Sequence, residues 1–365
     1  LLWANMAQSG HGPLERRMAL LAWQGLPHVL KNGATADELA WLDRTTAIDR
    51  STLPDKLRHN LPDWLANRLR DQLGDEGFWA LVDTFSASAP LDLRVNTLKG
   101  KREAVLETLA AANIEAQPTP YSPLGIRIPG KPALQKMPIY TDGHVEVQDE
   151  GSQLLAVLTN PKRGEMVVDF CAGAGGKTLA LGALMRNTGR LYAFDVSAHR
   201  LENLKPRLAR SGLSNVYSSQ IAHENDDRIK RLRGKIDRVL VDAPCSGLGT
   251  LRRNPDLKWR QSPKGIDELQ VKQTAILASA ARLLKPGGRL VYATCSIIPD
   301  ENEGIADAFT AAHPDFELIN AAEALEAAGV ENAAGLASPA GHLRLWPHLH
   351  ATDGFYAAVW QKKEA

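Results

Sequence analysis

The chain has 365 residues, 44% of them hydrophobic and 23% charged, with a formal net charge of +1. That length suits two or three domains, and the apolar content is enough for substantial cores, which excludes a disordered tail. The three cysteines, at 171, 245 and 295, form no C-x-x-C, which excludes a disulfide-stapled scaffold and speaks against a zinc ribbon, so no metal is expected.

Residues 1–88 read as helical. Leu14, Met18 and Leu21, and then Leu65, Leu69 and Leu73, recur at helical spacing, while Pro27, Pro54 and Pro62 break the segment. The start, Leu1-Leu2-Trp3, has neither a Met nor the basic stretch of a signal peptide, so it reads as a cut inside a helical region. No apolar run reaches the roughly 18 residues of a membrane span, and the expected setting is the reducing cytoplasm, with no membrane and no obligate protein partner.

Residues 89–143 read as a small α+β module. Leu91 to Thr97 alternates like a strand, Lys101 to Ala112 is an amphipathic helix, and Gly125 to Pro129 is a second short strand. Arg94, Lys99, Lys101 and Arg102 cluster near its first turn.

Strand–helix alternation fills residues 144–365, the signature of a mostly parallel, doubly wound sheet. Strands are expected at Met166–Phe170, Arg190–Asp195, Asn215–Ser219, Asp237–Asp242 and Arg289–Cys295, with a long helix over about 266–285. Ser197 should cap the helix that Gly212 closes, and Pro206 should kink it. Leu343–Trp346 and Gly354–Trp360 look like antiparallel closing strands.

Charge is uneven along this frame. Between Arg228 and Lys264, eleven Lys or Arg face three Asp, a basic stripe that fits phosphate binding at one face. For Arg228 to Lys235 a plain solvated helix surface explains the charge equally well. Arg252 and Arg253 differ, because they lie in a Gly/Pro-bounded loop beside a cysteine turn.

The loop after the first of these strands, Asp169-Phe-Cys-Ala-Gly-Ala-Gly-Gly-Lys-Thr178, fails two templates by one residue each. A phosphate loop needs Gly where Cys171 stands, and a dinucleotide loop needs Gly where Thr178 stands. What remains is close backbone approach to a ligand without a pyrophosphate. Asp195, ending the next strand, has the carboxylate to accept both hydroxyls of a ribose. A nucleoside without pyrophosphate suggests S-adenosylmethionine.

Asp242-Ala-Pro-Cys-Ser-Gly247 and Thr294-Cys295-Ser296 follow two further strands, at the carboxyl edge where open α/β sheets bind ligands. Cys171 reads as an inert buried thiol. Cys245 and Cys295 sit beside polar residues, where a thiolate is useful. Methylation of a pyrimidine carbon uses such parts. A thiolate adding at carbon 6 of cytosine turns carbon 5 into an enamine carbon able to take a methyl group. Asp242 is placed to hydrogen-bond N3 and the amino group, and a base must then remove the carbon 5 proton. The target base has to be single-stranded or extruded. This chemistry by itself does not choose between the two cysteines.

These motifs, with Arg252-Arg-Asn-Pro-Asp-Leu-Lys-Trp259, Tyr292 to Ser296, Leu93 to Thr97, Val147 to Ser152, Trp346 to His350 and Asp353-Gly-Phe355, resemble the Sun-type RNA (cytosine-5)-methyltransferases. The resemblance covers about residue 90 to the end. It implies a Rossmann-like S-adenosylmethionine-dependent methyltransferase domain preceded by the α+β module and a helical RNA-binding region. It implies attack by Cys295, release assisted by Cys245, and contacts from Asp242 and Lys177 to the target base or the methyl donor. Cys171, Ala172, Gly173, Ala174, Gly175, Gly176 and Lys177 would cradle the donor, with Asp195 on its ribose and Asp242 close by. Arg94, Arg252, Arg253 and Lys258 are the expected RNA contacts, and the expected RNA is 16S ribosomal. A transfer RNA substrate, a DNA cytosine methyltransferase attacking with Cys245, and a non-catalytic RNA-binding assembly factor are the alternatives. The family usually has Ala-Pro-Gly-Gly-Lys at the loop, where this chain has Gly173-Ala-Gly-Gly-Lys177. The Asp that normally ends the third strand has no match in Ser219–Glu224, which leaves the adenine contact unassigned.

Overall fold

The computed structural model describes residues 2–23 and 27–364. They group into two units, one up to Asp83 and one from Thr84. The first is helical. Thr35 begins its Ala36–Thr46 helix with a reciprocal cap: its hydroxyl accepts from the Glu38 N–H while the Glu38 carboxylate accepts from the Thr35 N–H. Leu65 and Leu69 are buried, as their spacing requires, whereas Leu14 is exposed and the Leu14–Leu21 helix buries no residue. Gly74, at φ +67°, interrupts the helical backbone within Asp63–Ser86.

The second unit holds two sheets. The small one is antiparallel, in the order β2 (Gln117–Pro118), β3 (Gly125–Ile128), β1 (Leu91–Val95), β4 (Val145–Val147). Leu93, Val95, Ile126 and Ile128 pack on Val105 and Leu109 of the Arg102–Ala111 helix. The alternation read in β1 does not mark a face turned to water. Asp92 and Arg94, on its polar face, are buried as well. Asp92 receives two hydrogen bonds from Arg127, at 2.7 and 2.9 Å, so the polar face is covered by partners rather than by water.

The large sheet runs β10 (Phe316–Ile319), β12 (Phe355–Lys362), β9 (Leu284–Thr294), β8 (Ile236–Asp242), β5 (Met166–Asp169), β6 (Arg190–Asp195), β7 (Val216–Gln220), with β11 (Leu343–Leu345) paired to β12. The five strands from β9 to β7 are parallel, and β12 closes the sheet antiparallel to β9. Both faces are covered. Val167, Leu240 and Val291 belong to one core, and Val168, Val239, Val241 and Tyr292 to the other. Strands buried on two sides read as continuous apolar runs, which is why β5, β8 and β9 were legible.

Two expectations shift. The long helix is Pro263–Ala281, begun by the Ser262 cap, and β9 already starts at Leu284. Pro286, Gly287 (φ +73°) and Gly288 do not continue a helix, and Leu284 pairs with Ile236. Strand β10 is unanticipated; its four residues lie at the sheet edge, too short for a periodic signal. The Ala198–Ser211 helix is capped by Ser197, runs on through Pro206 and ends at Gly212 with φ +81°. Among the described residues no helix is long and apolar enough to cross a membrane.

Candidate active site

Strands β5, β6, β8 and β9 end on one edge of the sheet, and each delivers a polar or reactive residue there. Asp169 ends β5, Asp195 ends β6, Asp242 ends β8, and Cys295 follows β9. Between β5 and the helix starting at Gly176 the chain turns through Gly173 (φ +56°) and Gly175 (φ +81°). A Cβ on Gly175 would lie 2.1 Å from Leu204 Cδ1, so that residue has to be glycine. A Cβ on Gly173 would meet nothing within 4 Å, leaving open space in front of the loop.

Three elements outside the loop hold its backbone. The Asp195 carboxylate accepts from the Gly173 N–H at 2.8 Å and the Ser197 N–H at 2.7 Å. Arg207 donates to the Ala174 carbonyl at 2.8 Å, so the position where the family has proline is tethered from the next helix. Arg94 donates to the Gly176 carbonyl at 2.6 Å and to Gln148. Only 3% exposed, Arg94 ties the small sheet to the glycine loop and has no face for RNA, which revises the sequence expectation. Burial lowers its pKa to about 10.

The same edge is acidic. Asp169 is fully buried; Thr178 donates to its Oδ2 at 2.7 Å, and among the described residues its Oδ1 has no hydrogen-bond partner. Burial raises its pKa to about 7, against the pull of the Thr178 hydrogen bond, and the charge of Asp242 pushes the same way. Burial, then Asp242, Asp169 and Asp195, push the Cys171 thiol well above the usual cysteine value. A neutral thiol ringed by three carboxylates is a poor nucleophile, in keeping with the inert reading of Cys171. Three carboxylates against Lys177, around an open glycine turn with an unpartnered buried oxygen, fit a cationic nucleoside sulfonium such as S-adenosylmethionine.

Cys245 and Cys295 meet. Their Sγ atoms are 3.4 Å apart, although fifty positions separate them in the chain. The Gly249 N–H donates to the Cys295 carbonyl at 2.9 Å, and a Cβ at Gly249 would clash with Gly354 O and Cys295 O. Lys177 Nζ lies 2.7 Å from Asp242 Oδ2. Burial alone would lower the pKa of this lysine, but Asp242 first, then Cys295 and Asp169, more than offset it, so it stays raised and cationic. For Cys245 the hydrogen bond with Cys295, followed by burial, the Cys295 charge and Glu301, pushes the pKa well above the ordinary value.

The remaining expected RNA contacts divide. Arg252 is buried, with Nε 2.5 Å from Asp353 Oδ1 and a terminal nitrogen 3.1 Å from Asp149 Oδ2. Arg253 pairs with the same two carboxylates, at 2.7 and 2.9 Å, and keeps 31% of its side chain exposed. Asp149 also caps the Glu150–Thr159 helix, so the arginine pair clasps that helix start to the loop after β8. Burial, with the Asp353 charge, raises the Asp149 pKa to about 6. Lys258 is only 8% exposed, and burial lowers its pKa. The adjacent Trp259 is 47% exposed. Sequence reasoning missed Arg207 and Glu301, and it named Asp149 and Asp353 within motifs without giving either a role. Arg207 and Arg210, three apart on one helix face and both on Glu146, were the one local signal available.

Residues 156–361 match the family described as 16S rRNA methyltransferase RsmB/F, and residues 61–135 match the RsmF/B-like ferredoxin-like domain. The chain belongs to the RsmB/F family. Within that family, "Probable ribosomal RNA small subunit methyltransferase B" of Synechocystis sp. is 36% identical over 308 residues, covering 84% of this chain and 67% of that protein. Ribosomal RNA small subunit methyltransferase B of Pasteurella multocida is 34% identical over 313 residues, again covering 84% and 67%. This RsmB/F chain thus spans about two thirds of the length of these curated relatives. A crystal structure of a methyltransferase homolog protein from Pyrococcus horikoshii matches with a TM-score of 0.71 at 30% identity, over 86% of this chain and 100% of the other. The large sheet has the fold of S-adenosylmethionine-dependent methyltransferases, as expected.

Proposed function

We propose that this protein methylates carbon 5 of a cytosine in RNA, with 16S ribosomal RNA as substrate, through a covalent bond between Cys295 and carbon 6 of the base. The observation that carries this reading is the thiol pair, 3.4 Å apart, on the strand edge that also bears the Lys177–Asp242 ion pair. The donor, S-adenosylmethionine, would lie on the backbone of residues 171–177 with its ribose on Asp195, and when bound it supplies an electrophilic methyl group.

The chain's own residues do the rest. Lys177 is a cation with Cys295 among its charged neighbours, while the hydrogen bond with Cys295, burial and nearby charge push the Cys245 thiol up, so Cys295 is the sulfur assigned to the attack. That supports the assignment the family resemblance implied and the bare chemistry left open. The Cys295 sulfur adds to carbon 6, and the electron pair released from the 5,6 double bond makes carbon 5 nucleophilic. Asp242, held by Lys177, faces the polar edge of the base. After carbon 5 is alkylated it loses its proton to a base, the double bond re-forms and the Cys295 sulfur leaves. Cys245 assists that last step.

Residues 144–365 would be the catalytic domain, with residues 1–88 and 89–143 docking the RNA. In the segment after the Cys245 loop, Trp259, Arg260 and Lys264 are exposed and offer RNA two cations and one aromatic face, and the Gln261 side chain donates to the Ser246 carbonyl at 2.9 Å. Phosphate contacts of this kind orient RNA without reading sequence. The test is incubation with RNA containing 5-azacytidine, scored as a gel-shifted covalent adduct. Cys295→Ala is expected to abolish the adduct, and Cys245→Ala to let it accumulate. The reverse pattern would move the attack to Cys245, and no adduct with either parent or variants would sink covalent catalysis. Bisulfite mapping of RNA from cells lacking the gene then reports whether the lost 5-methylcytosine lies in ribosomal or transfer RNA.

A further inference from the structure

Glu301 is fully buried, six residues beyond Cys295, in the short turn Pro299–Glu301. Its Oε1 accepts from the Ser246 N–H at 2.8 Å and from the Gln273 side-chain amide at 3.0 Å. Its Oε2 accepts from the hydroxyls of Ser246 and Ser296. Those two serines directly follow the two active-site cysteines, and their hydroxyls are themselves 3.2 Å apart. All four contacts come from donors, the pattern of an ionised carboxylate. The Glu301 carbonyl accepts from Tyr292 of β9 at 2.6 Å. Asn302, next in the chain, accepts from Thr294 Oγ1 at 2.5 Å and donates to the Ser296 carbonyl at 3.0 Å. The Glu301-Asn302 pair therefore moulds the Thr294-Cys295-Ser296 turn, and the Glu301 carboxylate joins that turn to the Cys245 loop.

We propose that Glu301 is the positioning residue of the thiol pair, holding the two cysteine turns in register and placing a buried carboxylate directly behind the Cys245 loop. This rests on the reading of Cys295 as the attacking sulfur. Two sulfurs on separate loops stay within contact only if something rigid joins the loops, and backbone contact alone leaves the serine hydroxyls unheld. The charge acts unequally. Lys177 has Cys295 among its charged neighbours, whereas Glu301 adds to the hydrogen bond with Cys295, the burial and the Cys295 charge that raise the Cys245 thiol. Division of labour between chemically identical side chains then follows from which ion each one faces.

The test is competitive alkylation of the full chain with iodoacetamide, read cysteine by cysteine by peptide mass spectrometry, alongside the azacytidine adduct rate. In the parent protein Cys295 should be labelled faster than Cys245. Glu301→Gln keeps the shape and removes the charge. It is expected to shrink the Cys295-to-Cys245 labelling ratio at least threefold and slow adduct formation at least tenfold, with donor affinity changed less than twofold. A residue that merely supports the fold would change the melting temperature and leave the ratio alone. A ratio and adduct rate within twofold of the parent in folded Glu301→Gln would overturn the proposal. Should that variant not fold, the Ser246→Ala/Ser296→Ala pair cuts the hydroxyl ties with Glu301 in place and is read by the same two numbers. Alkylation needs no RNA, so failure of the parent to form an adduct would defeat the proposed function and leave the Glu301 result to stand on its labelling ratio.

Discussion

Asp169 and Lys177 show how much a single side chain decides at this edge of the sheet. The Asp169 carboxyl, raised by burial to about 7, takes up its proton in the folded state well before the unfolded chain does. Between about pH 4 and pH 7 the native state therefore binds more protons, and stability falls as pH rises through that window. Asp169→Asn should flatten the fall, gaining on the order of 2 kcal/mol at pH 8 relative to pH 5, as measured by urea melts at the two pH values. Lys177 serves two neighbours, pairing with Asp242 and lending its charge to Cys295. Lys177→Ala should lower methyl transfer by roughly 10²- to 10³-fold, the usual loss when a preorganised electrostatic partner is removed. A transfer assay with labelled donor checks it, with donor binding measured separately by fluorescence.

At the scale of elements, the glycine turn has one hydrogen bond of its own, from the Gly175 N–H to the Ala172 carbonyl at 2.9 Å, and is held by neighbours on both sides. Arg94 reaches it from β1, Arg207 from the Ala198–Ser211 helix and Asp195 from the end of β6. Leu204, on the same helix as Arg207, presses against Gly175, where any side chain would collide. Gly175→Ala combines that collision with a positive φ, and a loss of roughly 2–4 kcal/mol is expected. Thermal melting reads the stability, and donor affinity should fall along with it because the turn and helix share one contact. Arg252 and Arg253 act in the same way one loop further on, clasping the start of the Glu150–Thr159 helix through Asp149 and Asp353. Charge that looked free for RNA in the sequence is spent inside the molecule. An arginine fork finds carboxylates wherever the fold brings them within reach, and linear spacing does not reveal which.

Across the whole molecule the near-neutral net charge hides a basic stretch, eleven Lys or Arg against three Asp between Arg228 and Lys264. Arg260 and Lys264 are largely exposed, and among the described residues they pair with exposed acids one helical turn away, Asp256 and Glu268. Such pairs are weak and easily exchanged for phosphate. RNA affinity should therefore fall steeply with salt, and the Arg260→Ala/Lys264→Ala variant should reduce the slope of log affinity against log salt by about 1 to 1.5. Filter binding over a salt series measures it, and donor binding in the same buffers should hardly change. An unaltered slope would show that RNA tracks another face.

From the sequence alone the alternating strands and helices, the glycine turn, Asp195 and the cysteines at strand ends were all legible. Each is written in local order, as a run of β-branched residues, a short motif or a residue just past a strand. The edge strand β10, the burial of Arg94 and Arg252, the touching of Cys245 and Cys295, and the Glu301 staple were decided only by the tertiary structure. Ser246 and Glu301 are separated by more than fifty residues, and such contacts leave no periodic trace. Whether a polar side chain faces water or a buried partner depends on what the folded sheet lays beside it, and that is a property of three dimensions.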